Sequence, residues 1–137
     1  MQKDEMLAVM DRYDHASAKR DWDTVREVLA SDYVQHEPGV VELRGREEFI
    51  EHAKRWLEAF PPIDEGITED LIVGEDRIAV RFISHNRHQG EWLGFPATGK
   101  VITYSALAIV RFASGQMAAS WIYNDIPGML KQMGAKP

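Results

Sequence analysis

The stretch that most limits how this chain can fold is Val101 to Asp125, VITYSALAIVRFASGQMAASWIYND. Two runs rich in β-branched and aromatic residues flank Ala113-Ser114-Gly115. That triplet predicts an antiparallel hairpin closed by a three-residue loop, with Gly115 in the left-handed conformation. Strand side chains alternate, so unbroken alternation puts Met117, Ala119, Trp121, Tyr123 and Asp125 on one face. Ile126 and Pro127 follow at once and stop the strand. Asp125 then has two readings. It is a buried acid/base at the end of an aromatic face, or a surface carboxylate that ends a strand.

The residues before this hairpin change period near Ile67. Upstream, apolar residues recur at helical spacing. Met6, Leu7, Val9, Met10, Tyr13 and Ala16 predict an amphipathic helix over residues 3–19. Asp21 reads as the cap of a second, shorter helix with Trp22, Val25, Val28 and Leu29 inward, ended by Ser31-Asp32. Tyr33 to Gly39 reads as a short extended piece closed by a Pro-Gly turn. Arg46 to Ala59 forms a third helix with acids in its first turn and Pro61-Pro62 after its end. His52 falls off its apolar stripe and is expected in solvent.

Downstream the period is two. Ile67 to Val73 and Arg77 to His88 read as strands joined by a turn at 74–76. On the second, Val80, Phe82, Ser84, Asn86 and His88 share one face. Gln89 to Lys100 is a Gly/Pro-punctuated loop that carries Trp92, Leu93 and Phe95. These three act as a lid, contact a second subunit, or fold back on their own core. Residues 126–134 return to helical spacing through Ile126, Met129, Leu130 and Met133, and Gly134 suits the stop. Helices gathered before an antiparallel meander mean α+β. We expect a single domain over 1–137, with three helices over the concave face of a curved, cone-shaped antiparallel sheet.

Composition narrows the function classes. The chain has 137 residues, no cysteine and a net charge of -6. Disulfides, thiolate catalysis and cysteine metal sites are excluded. An acidic balance argues against a nucleic-acid partner. The charged N-terminus lacks a signal-peptide core, and no apolar run reaches the ~20 residues of a membrane span, so a cytoplasmic location is expected. His85 and His88 point to opposite sides of a regular strand and make a poor metal pair. No metal and no cofactor are expected.

At Arg87 to Gly99 the text R-H-Q-G-E-W-L-G-F-P-A-T-G resembles the SnoaL-like polyketide cyclases, or ester cyclases, of the nuclear transport factor 2-like, cystatin-like superfamily. Arg111 to Met117 resembles the family's R-F/V-x-x-G-x-I/M, and Trp121 to Asp125 its W-x-x-x-D. Tyr33 to Pro38 looks like F/Y-V-x-H-x-P, Ala59-Phe60-Pro61 like A-F-P-D, and Asp76-Arg77-Ile78 like D-R-V. Pro62 departs from the Asp of A-F-P-D, Asn86-Arg87 from a small Gly-Thr pair, and Ala97 from the second Pro of P-P-T-G. The resemblance implies an α+β cone and a homodimer. It also implies a cofactor-free intramolecular aldol closure of a polyketide ester, with an Asp as acid/base. That role carries over onto Asp125, and Arg111 stands where the family's histidine partner is expected.

A base for such chemistry must be stronger than free Asp, whose pKa is ~3.9. Burial against Trp121 and Tyr123 would supply the shift. The expected site is therefore Asp125 and His88 as catalytic groups. Tyr13, His36, Asn86, Tyr104, Trp121 and Tyr123 are expected around a small apolar or aromatic molecule. The alternatives are a non-catalytic ligand-binding or dimerisation module, and an isomerase or epoxide-hydrolase-like enzyme. The last would want an Asp–Arg–Asp group, for which Arg81 or Arg111 with Asp125 gives only a part.

Overall fold

A computed structural model describes residues 1–136. The element order is α1 (Lys3–Ala18), α2 (Trp22–Val28), β1 (Leu29–Glu37), β2 (Val41–Arg44), α3 (Arg46–Ala59), β3 (Ile67–Val73), β4 (Arg77–Arg87), β5 (Val101–Ala113), β6 (Gln116–Asn124) and α4 (Ile126–Gln132). The strands form one curved, unclosed sheet in the order β2-β1-β6-β5-β4-β3. All neighbours are antiparallel except β1 and β6, which run parallel. The expected α+β class holds. The small tail helix α4 joins the three expected helices.

Local chemistry explains most boundaries. Asp21 caps α2 by accepting from the Thr24 N–H at 3.2 Å. Gly45 enters α3 with φ +87°, a backbone that a β-carbon would disfavour. Two boundaries differ from expectation. Leu29 leaves the helix with φ -98° and ψ 136° and opens β1, ahead of the expected stop at Ser31-Asp32. The Pro38-Gly39 turn is a true hairpin to β2, a strand too short to stand out by alternation.

The β5–β6 hairpin departs in a more consequential way. Ala113 pairs with Gln116, and Ser114 and Gly115 both have positive φ, at 52° and 79°. This is a two-residue loop with both central residues left-handed, the turn that matches strand twist best. Further on, Arg111 pairs with Ala119 but Phe112 pairs with Met117. Ala118 is therefore an extra residue, a β-bulge, and the residues after it change face. Met117 lies in the core beneath the helices, while Ala119, Trp121 and Tyr123 point to the opposite side of the sheet.

The core is divided. One cluster joins Met6 and Ala16 of α1, Val25, Tyr33, Phe49, Ile50, Phe112 and Met117. The other joins Ala59, Phe60, Ile102, Tyr104, Ala106, Met129 and Met133. Between them the inner sheet face carries polar groups and half-exposed apolar ones, among them Val80, Phe82, Ala108 and Ile122. These apolar side chains keep part of their surface exposed between the two packed clusters.

Candidate active site

The inner face of β1 and β6 carries a strip of hydrogen-bonded polar side chains. Alternation from the core residue Tyr33 directs Gln35 and Glu37 to the same side. Tyr33 is buried against the edge of the Phe49 ring, and its hydroxyl donates to Ser120 Oγ at 2.6 Å. Ser120 in turn donates to Gln35 Oε1 at 3.1 Å. One residue pair further along, the Asn124 amide donates to Glu37 Oε2 at 3.2 Å. Ser120 and Asn124 reach inward because the Ala118 bulge put them there.

Strands β4 and β5 continue the same sheet face. Ser84 lies opposite Tyr104 in the ladder, and its hydroxyl donates to Asn86 Oδ1. The Asn86 amide donates to the Phe60 carbonyl at 2.7 Å, which fixes the side chain. Tyr104 packs edge-on against Trp56 at 6.0 Å. Burial pushes the Tyr104 phenol up to about 12, the Ser84 hydroxyl beside it opposes the rise, and the nearby Glu37 charge adds to it. The phenol is therefore a standing proton donor at neutral pH.

Glu37 is 7% exposed and is the one buried carboxylate among the described residues. Burial raises its pKa above the usual glutamate range, and the Asn124 amide pulls it partly back. A buried carboxylate of raised basicity is what proton abstraction requires. The sequence reading missed this residue because Pro38-Gly39 made it look like the edge of a surface turn. The available signal was its place two and four residues beyond Gln35 and Tyr33 on one face.

Of the expected site residues, Tyr13, Asn86 and Tyr104 face this side of the sheet. Tyr13 extends from α1 toward Phe49 and Tyr33, where burial raises its pKa. His88 lies beyond Asn86, fully buried and stacked on Phe60 at 5.0 Å. Its Nδ1 accepts from the Thr98 N–H at 3.3 Å, which leaves the proton on a buried Nε2 that has no partner among the described residues.

The remaining expected residues lie elsewhere. Asp125 is exposed and caps α4, with Oδ1 accepting from the Gly128 N–H at 3.0 Å. The expected closed pocket between it, Trp121 and Tyr123 does not form, because the bulge sends both aromatics to the outer face. His36 is also outside, stacked on Trp121 at 5.2 Å with Nδ1 3.2 Å from Glu42. The Arg77 guanidinium covers Trp121 at 5.0 Å. Arg81 pairs with Glu69 and Asp70, and both it and Arg111 project outward, so neither reaches an inner carboxylate. Among the described residues no group of three or more His, Asp or Glu is placed to hold a metal ion. No helix among the described residues is long and apolar enough to cross a membrane.

The loop after β4 folds back on its own core. Trp92 packs edge-on against Trp56, Phe60 and His52 at 5.2, 6.1 and 5.7 Å. His52 is thus half-buried rather than solvated, and burial lowers its pKa. Leu93 alone of the three apolar loop residues remains exposed, at 47%.

Solved structures share this architecture over nearly the full length. A SnoaL-like polyketide cyclase, so proposed, from Jannaschia sp. CCS1 superposes with a TM-score of 0.86 at 20% identity, covering 97% of this chain and 94% of that one. AclR, a proposed hydroxylase from Streptomyces galilaeus, gives 0.82 at 23% identity, covering 99% of this chain and 100% of that one. IdmH, a proposed polyketide cyclase from Streptomyces antibioticus, gives 0.78 at 26% identity, covering 93% and 97%. A search of the curated proteins finds no match. The family model described as SnoaL-like polyketide cyclase matches residues 7–133. The chain therefore belongs to the SnoaL-like polyketide cyclase family, on the nuclear transport factor 2-like fold.

Proposed function

We propose that this protein is a cofactor-independent acid/base enzyme acting on a small, largely apolar molecule held in the cleft between the helices and the inner sheet face. The reaction is of the kind its family name implies, ring closure of a polyketide ester or a related proton transfer. The observation that carries this reading is the divided core. Half-open apolar side chains line the gap, and a hydrogen-bonded polar strip with one buried carboxylate crosses its floor. A cleft of this composition suits an uncharged ligand with a few oxygens. The epoxide-hydrolase alternative loses support because Arg81 and Arg111 sit on the other face of the sheet.

Naphthol, an uncharged aromatic enol mimic, tests the location. Titration followed by amide chemical shifts should perturb Ser120, Ile122 and Asn124 and spare the Ser114-Gly115 turn. Shifts confined to the outer residues would place the ligand site elsewhere.

The same reading includes a homodimer through the outer face. Leu107 and Tyr123 are 41% and 54% exposed there, beside Ile109 and Trp121. A hollow of about 750 Å³ next to them is lined by Asp32, Arg77, Arg111 and Trp121. Acid and base on one patch are self-complementary under a two-fold axis. Trp92 packs within its own chain, which favours the outer sheet face as the proposed contact.

A further inference from the structure

We infer that Glu37, positioned by Asn124, is the proton-transfer residue of this protein, and that Asp125 at the family's W-x-x-x-D position serves as a helix cap instead. The inference rests on the proposed function and deepens it. Three observations carry it. Glu37 Oε2 accepts one hydrogen bond, from the Asn124 amide, and among the described residues no cation is paired with the carboxylate. Strand alternation puts its side chain and that of Tyr104 on the same inner sheet face. Asp125, by contrast, has its Oδ1 committed to the Gly128 N–H and lies in solvent.

The bulge at Ala118 is what makes the difference. It brings Asn124 inward and leaves the residue after it beyond the end of the strand. A Cβ at position 128 would lie 2.2 Å from Asp125 Oδ2, so Gly128 lets the carboxylate fold down onto the helix end. Asp125 is thus held against α4 by a built contact rather than left free to turn into the cleft.

The proton transfer balances without any co-reactant. A Glu37 oxygen takes a proton from a carbon next to a carbonyl. The C–H bond breaks, its electron pair moves into the forming enolate, and the Tyr104 hydroxyl donates a hydrogen bond to the enolate oxygen. Protonated Glu37 later returns the proton. The substrate class is an uncharged C–H acid whose oxygen reaches Tyr104. Glu37 carries one negative charge into the cleft, so an anionic substrate is disfavoured.

Nitrobenzisoxazole, an uncharged aromatic C–H acid, tests the assignment without knowledge of the natural substrate. A base removes its ring proton, the N–O bond breaks, and a coloured phenolate is released. The intact protein should turn it over faster than acetate at equal carboxylate concentration. Glu37→Gln should lower the rate by roughly 10²-fold or more, while Asp125→Asn leaves it within about twofold, an expectation that follows from its exposed, capping position. Asn124→Leu removes a bond to the ionised form, so the midpoint of its pH–rate profile should move upward. A rate unchanged in Glu37→Gln, or lost in Asp125→Asn, overturns the assignment and leaves the enzyme reading standing. A midpoint unmoved in Asn124→Leu overturns the positioning role. No acceleration by the intact protein overturns both and favours a binding module. Circular dichroism and melting of each variant separate a lost base from a lost fold.

Discussion

Asp125 and Glu37 show how two carboxylates eighty-odd residues apart acquire different work from their surroundings. Asp125 follows a strand, precedes Ile126-Pro127 and has a helix N–H within reach, so its carboxylate caps. Replacing it with Ala should cost about 1 kcal/mol of stability, read as a lower melting midpoint. Glu37 is inside the sheet's inner face and pays in stability for its basicity. Its folded pKa is raised, so its stabilising contribution is complete below the unfolded value and is lost as pH rises through the folded one. Glu37→Gln should therefore melt higher than the parent protein at neutral pH, and the two should converge below pH ~4. A Glu37→Gln variant that melts lower at neutral pH and equally so in acid would contradict the burial cause.

The elements themselves were largely legible. Helical spacing from Met6 to Ala16 and from Phe49 to Phe60, and the period of two after Ile67, set the α+β order correctly. The direction of Asn86 and Tyr104 was readable because β4 and β5 run without interruption. What the text concealed was the bulge. Gln116-Met117-Ala118-Ala119-Ser120 has only small or flexible residues, and alternation reads straight through it. One extra residue then reverses every later side chain, which moved Trp121, Tyr123 and, through its strand partner, His36 to the wrong expected face. Deleting Ala118 removes only the unpaired residue and leaves Met117 inward and Trp121 outward in regular alternation. The deletion should therefore keep the Tyr33–Ser120 hydrogen bond, read in the tyrosine hydroxyl resonance. Loss of that bond in the deletion would show that Ala118 is not the extra residue.

At the scale of the molecule, the two faces of one sheet differ in character. The inner face holds polar groups between two packed clusters. The outer face exposes Leu107, Tyr123 and the Trp121–His36–Arg77 stack. On the proposed homodimer, Tyr123→Asp should convert the dimer to a monomer by sedimentation while nitrobenzisoxazole turnover per chain persists. Trp92→Asp should instead lower the melting midpoint, because Trp92 packs on Trp56 and Phe60 of its own chain. The family and the fold followed from motif order along the whole chain. The proposed proton-transfer residue did not, because the resemblance points to Asp125 and the burial and hydrogen bonding of this chain favour Glu37.

The most direct measurement of that difference is the carbon-13 titration of the Glu37 side-chain carboxyl in the unliganded protein. The account predicts a midpoint above the ~4.3 of a free glutamate, moving higher still in Asn124→Leu. A midpoint at or below ~4.3, unmoved by Asn124→Leu, would contradict it.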